Sequence, residues 1–129
     1  MIAADTSTWF AFLEGDKGDD VELLDRALRD RQVLMVPVVL TELLSDPKLP
    51  SGVADTLSDV PIIEIEAGFW QRAGRLRAKV LSRHRKARLG DALIAQTCVD
   101  RDIPLLTRDR DFRAFVDTAG LNIVGGGHA

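Results

Sequence analysis

Residues 1–10 read MIAADTSTWF. A short apolar run ends within four residues on Asp5, and Thr6, Ser7 and Thr8 follow at once. The run suits a buried strand, and the hydroxyl residues suit the start of a helix, whose first N–H groups they can cap. A lone carboxylate at the edge of a core is costly, so Asp5 needs donors, a cation or open water.

Working outward, the same alternation recurs along the chain. Residues 6–15 read as a helix stopped by Gly15, and 19–31 as another, with Val21, Leu24, Ala27 and Leu28 at helical spacing. QVLMVP (32–37) predicts a strand closed by Pro37, VVLTELLSD a helix, LPSGVADTLSDV another, and PIIEIE a third strand. Residues 67–84 form a long helix expected to bury Phe69, Ala73, Leu76 and Val80 and to turn Arg72, Arg75, Lys79 and Arg83 to solvent. A helix DALIAQTCVDR feeds the strand IPLLT; a turn with a short helix and a last strand, LNIVG, complete the pattern, and GGGHA reads as a frayed tail. About five short strands separated by helices predict an α/β fold of three layers, α/β/α, around a mostly parallel sheet. In such sheets ligands bind beyond the C-terminal ends of the strands.

Composition sets the bounds. The 129 residues, 46% hydrophobic, suit one compact domain over 1–129. A formal charge of −3 and a pI near 5.3 announce no nucleic-acid partner by overall balance, so local basic patches must carry that question. Cys98 stands alone, beside Ile94 on the inner face of its helix, and suits packing rather than a disulfide. Without a leader-like start or an apolar run near the roughly 20 residues a membrane helix needs, a cytoplasmic protein with no membrane role is expected.

The binding edge collects acids. Asp5 ends the first strand; Asp109, with Asp111 close behind, follows the strand IPLLT; Asp91 sits at or beside a helix start; and Glu42 lies early in the helix after the second strand. The helix N-terminus is expected to favour ionised Asp91. Two like charges about 4 Å apart repel by roughly 4 kcal/mol at an effective dielectric near 20, so clustered carboxylates require a positive occupant. No lysine or arginine threads all these positions, and the thiolates and imidazoles that zinc prefers are missing, since His84 and His128 stand far apart. All-oxygen ligands point to Mg²⁺ or Mn²⁺ and to metal-assisted phosphodiester hydrolysis, in which the cation lowers the pKa of a water and no protein nucleophile is needed. Asp91 is also a candidate for orienting that water. Each acid alone has a plainer reading, Asp5 and Asp91 as caps, Glu42 as a solvated residue, Asp109 and Asp111 as turn formers; their joint order shifts the balance.

MIAADTSTW, VVLTELLSD, RLGDALIAQTC and LLTRDRDF, in that order, resemble the PIN domain, and in particular the VapC-type toxins of bacterial toxin–antitoxin pairs, over nearly the whole chain. The resemblance implies that Asp5, Glu42, Asp91 and Asp109 form the metal-binding acidic quartet, with Asp111 the competing choice for the fourth place and Thr107 the small hydroxyl residue of the last motif. It further implies endoribonuclease activity leaving a 5′-phosphate and a 3′-hydroxyl, one or two Mg²⁺ or Mn²⁺ ions, a homodimer, and neutralisation by a cognate VapB-type antitoxin in a higher assembly. Thr6, Thr107, Arg83, Arg85, Arg108 and Arg110 are candidates for contact with RNA, and the segment SRHRKAR (82–88) leads directly toward Asp91. Trp9, Phe10 and Phe12 are expected in the core, with a share in a dimer surface. A phosphoaspartate receiver is disfavoured because Thr6 follows Asp5 and the third strand offers only glutamates; a haloacid-dehalogenase-like phosphatase is disfavoured because DTST lacks the second aspartate. The rival that stays open is a PIN fold without catalysis, acting as an RNA- or protein-binding module.

Overall fold

The computed structural model describes residues 1–124, so the expected glycine-rich tail lies outside the described residues, as does His128. Two strands, β1 (Ala3–Ala4) and β2 (Leu105–Leu106), pair in parallel with Ala3 opposite Leu105 and Ala4 opposite Leu106. All four residues are buried, and none is charged. Seven α-helices surround them among the described residues: α1 (Thr6–Leu13), α2 (Asp19–Arg29), α3 (Pro37–Leu44), α4 (Ser51–Ser58), α5 (Phe69–Ser82), α6 (Leu89–Arg101) and α7 (Arg113–Ala119), with a 3₁₀ turn at Arg110–Phe112.

About five short strands were expected, and two form among the described residues. The other three segments meet their neighbours through single parallel bridges, Ile2 with Val33, Met35 with Ile62, and Leu105 with Ile123. Proline and chain direction explain the shortness. Pro37 starts α3 directly after Val36, and Pro61 has no N–H to give the ladder, though its carbonyl accepts from Met35 at 2.7 Å. Ile63 is still buried, its N–H donating to the Met35 carbonyl at 2.9 Å, but beyond it the chain turns outward, and Glu64 and Glu66 lie near Arg101 at 3.9 and 3.6 Å.

The helices follow their apolar faces. α5 buries Phe69, Ala73, Leu76 and Val80, as its spacing predicts, and packs on α6, which buries Ile94, Ala95 and Cys98. Arg72 departs from expectation: it is not turned to solvent but forks onto Asp100, Nε donating to Oδ1 at 3.0 Å and Nη2 to Oδ2 at 2.6 Å, because Asp100 sits on the facing side of α6. Trp9 is buried, with its ring edge-on to Phe12 at 6.0 Å, while Phe10 and Phe12 pack partly buried against the core. The large exposed apolar side chains lie elsewhere and include Trp70, at 66% exposure, Ile62, Ile65 and Leu89. No helix among the described residues is long and apolar enough to cross a membrane.

Candidate metal centre

Asp5 leaves β1 and becomes the N-cap of α1, 3% exposed. Its donors are all local or on the paired strand. Oδ1 accepts from the Thr8 N–H at 3.0 Å and from Ser7 Oγ at 2.7 Å; Oδ2 accepts from Thr107 Oγ1 at 2.6 Å. Burial pushes the Asp5 carboxyl up, the hydrogen bonds from Thr107, Ser7 and Thr8 oppose it, and the charge of Asp109 adds to the rise that remains.

Thr107 directly follows β2 and couples the two halves of the site. While donating to Asp5 it accepts from the Asp109 N–H at 2.9 Å, and Asp109 Oδ1 in turn caps the 3₁₀ turn by accepting from the Asp111 N–H at 2.9 Å. This succession of short polar residues aims the two acids back toward α6. One oxygen from each of Asp91, Asp109 and Asp111 lies within 4.8 Å of the others.

Asp91 lies in the first turn of α6, whose N-cap is Arg88. Its carboxyl is pushed up to about 6, first by burial and then by the charges of Asp109 and Asp5, with Arg88 pulling the other way and Glu42 adding a smaller push. The shift runs opposite to the one a helix terminus alone would give, because lost hydration and like charges outweigh it, yet a carboxyl at about 6 is still ionised at neutral pH. Asp91 Oδ2 is buried with no hydrogen-bond partner. An acceptor withdrawn from water, reached by no donor and ringed by carboxylates, is suited to hold a cation.

Glu42, on α3, is exposed and accepts from Thr6 Oγ1 at 2.6 Å, and an added Cβ on Gly90 would lie 3.7 Å from its Oε2. Asp91, Asp109 and Asp111 thus converge, with the charges of buried Asp5 and exposed Glu42 also felt at Asp91. Basic side chains border the cluster without threading it: Lys86 Nζ stands 3.4 Å from Asp111 Oδ2, and the charge of Arg88 acts on Asp91. Lys86 is exposed, so one flexible ammonium cannot offset four or five acids.

The hydroxyl candidates are spent on carboxylates: Thr6 holds Glu42 and Thr107 holds Asp5. Three arginine candidates turn elsewhere. Arg83 donates to Thr118 and Arg85 to Asp117, both on α7, and Arg108 grips Asp20. Arg110 lies exposed in the 3₁₀ turn between Asp109 and Asp111. Ser7 and Asp20 were not among the sequence candidates for the site, whereas Lys86 falls in the segment SRHRKAR read as leading toward Asp91. Ser7 carried a signal, a hydroxyl two residues after an N-cap carboxylate; Asp20 carried none, because its partners lie 12 and 88 positions away.

The PIN domain profile matches residues 2–117. Ribonuclease VapC5 of Mycobacterium tuberculosis (strain ATCC 25618 / H37Rv) is 25% identical over 126 residues, covering 93% of this chain and 91% of its own. Among solved structures, the M. tuberculosis VapBC-5 toxin–antitoxin structure superposes with a TM-score of 0.69 at 22% identity over 97% of this chain and 98% of that one. VapBC2 from Rickettsia felis, bound to a DNA fragment from the promoter, superposes with a TM-score of 0.72 at 20% identity over 96% and 98%. With a match from the first bridge through most of α7 and a shared backbone along nearly its whole length, the chain belongs to the PIN domain family.

Proposed function

We propose that this protein is a VapC-type toxin, an endoribonuclease that hydrolyses an RNA phosphodiester with the help of Mg²⁺ or Mn²⁺, one or two ions, held by Asp5, Glu42, Asp91, Asp109 and Asp111. The orphaned Asp91 oxygen among converging carboxylates carries the reading. The likeness to M. tuberculosis ribonuclease VapC5 and to the M. tuberculosis VapBC-5 toxin–antitoxin structure supports it.

A divalent cation at this site supplies charge for the phosphate oxygens and makes water a nucleophile at neutral pH. The chain's own work is placement. Thr107, Ser7 and Thr8 hold both oxygens of Asp5 still, and Thr6 holds Glu42, so the ligands need little reorganisation to bind. Asp91, ionised above a value near 6, is also the candidate to orient the attacking water. Arg110 and Lys86, exposed at the rim, are placed to meet the backbone of an RNA strand.

Cleavage of a mixed cellular RNA pool tests this, with Mg²⁺, Mn²⁺ or chelator and with Asp91→Asn alongside. Discrete fragments bearing 5′-phosphates, formed only with metal and absent in the variant, are expected. Equal inertness of both proteins toward RNA, with binding of intact RNA retained, would favour a non-catalytic binding module instead. A cognate VapB-type antitoxin and a homodimer complete the proposal, and co-expression with the antitoxin should abolish cleavage.

A further inference from the structure

Behind the acids lies a second set of contacts whose centre is Asp20, at the start of α2 and only 6% exposed. Its Oδ2 accepts from Thr8 Oγ1 at 2.9 Å and from Arg108 Nε at 2.7 Å, and its Oδ1 accepts from Arg108 Nη2 at 3.1 Å. Arg108 Nη2 also donates to the Lys17 carbonyl at 2.6 Å. Burial alone would raise the Asp20 carboxyl, but the hydrogen bonds from Arg108 and Thr8 outweigh it and hold the group below the usual carboxylate range.

Both residues gripped by Asp20 adjoin the acidic site. The Thr8 N–H donates to Asp5 Oδ1; the Arg108 N–H donates to Ser7 Oγ at 3.1 Å, and Ser7 donates to Asp5 Oδ1 as well. Arg108 itself stands between Thr107, which holds Asp5, and Asp109. Space is kept for the pair by Gly18, at φ +150°, where an added Cβ would fall 2.6 Å from both Arg108 Nη2 and Asp20 Oδ1. The guanidinium is thus turned from the acids and locked, while its backbone closes the loop that carries Asp109.

We propose that the Asp20–Arg108 pair is a positioning device, setting the divalent-cation affinity of the acidic site by locking residues 5–8 against residues 107–109, with neither side chain touching the cation. This rests on reading the acidic cluster as a metal site. Charge and position make opposite predictions for Arg108. A nearby positive charge repels a cation, so if charge alone mattered, its removal would tighten binding. If Arg108 positions the ligands, its removal weakens binding.

Mn²⁺ affinity, measured by isothermal titration at fixed ionic strength, decides between them. The proteins compared are wild type, Asp91→Asn, Arg108→Ala, Arg108→Lys, Asp20→Asn and the Asp20→Asn/Arg108→Ala double variant. Arg29→Ala, exposed and paired with Asp25 on α2, controls for the loss of one positive charge. Weakening of about tenfold or more is expected for each single change at Asp20 or Arg108, as for other groups that orient metal ligands. The double variant should be no weaker than the weaker single, since both break one device. Circular dichroism confirms that each protein is folded; should Arg108→Ala fail to fold, Arg108→Lys, which keeps the charge but loses the fork, decides in its place. Wild-type or tighter Mn²⁺ binding by the folded Arg108 variant overturns the proposal. Binding by wild type but not by Asp91→Asn shows that the metal reading stands, so the positioning proposal is then judged on its own; a wild type that binds no Mn²⁺ overturns both.

Discussion

Asp91 is more stable protonated in the folded chain than in the unfolded one, its carboxyl standing at about 6 against an ordinary 3.8. A carboxyl raised in this way favours folding fully below the ordinary value and works against it as pH rises through about 6. Allowing for its partial exposure, the group costs on the order of 1–2 kcal/mol at neutral pH. Asp91→Asn is therefore expected to melt above wild type in chelator at neutral pH, with the advantage shrinking as pH falls toward 4. Adding Mn²⁺ should raise the wild-type melting temperature by several degrees and leave the variant where it was. Calorimetry across that pH range checks both, and a variant that melts lower at neutral pH would show that burial and like charge do not govern this residue.

At the scale of elements, α5 and α6 make the most extensive helix pair, clasped by the Arg72 fork on Asp100, which Gln96 Nε2 joins at 2.8 Å. Asp100→Ala removes the acceptor of Arg72 Nε and Nη2 and of Gln96, leaving Arg72 only the Ala67 carbonyl, and should lower stability by about 1–2 kcal/mol, while Mn²⁺ affinity stays at the wild-type value. Urea denaturation and metal titration of the same preparation separate the two effects. The helices were legible in the sequence because a buried face needs only spacing, and Phe69, Ala73, Leu76 and Val80 keep it. The meeting of the acids was legible because each stands at a strand end or a helix start, where chain direction decides where a side chain goes. Strand length was not legible: the apolar runs and the stop at Pro37 were visible, but the pairing of the outer segments through single bridges and the outward turn after Ile63 depend on tertiary packing. Nor were the partners of Arg83, Arg85 and Arg108, since composition says that a guanidinium is near and only the fold says which oxygen it finds.

Across the whole molecule, the largest exposed apolar side chain stands on α5 rather than among Trp9, Phe10 and Phe12. Trp70 and Ile65 line one exposed apolar groove with Pro37, Val38 and Leu93. Trp70→Glu is expected to convert the proposed dimer to monomer in sedimentation velocity with its circular dichroism unchanged; a variant that still sediments as a dimer would place the interface elsewhere.

The bond from Thr107 to Asp5 joins positions 102 residues apart. At roughly 5–20 residues per second, ribosomal synthesis delivers the second partner on the order of 5–20 s after the first. During that interval Asp5 has its local caps but no opposite wall, and Asp109 does not yet exist. The acidic centre is thus a late product of translation, assembled when the C-terminal third of the chain docks onto the first strand, and a nascent or truncated chain that stops short of β2 carries its acids without a centre to put them in.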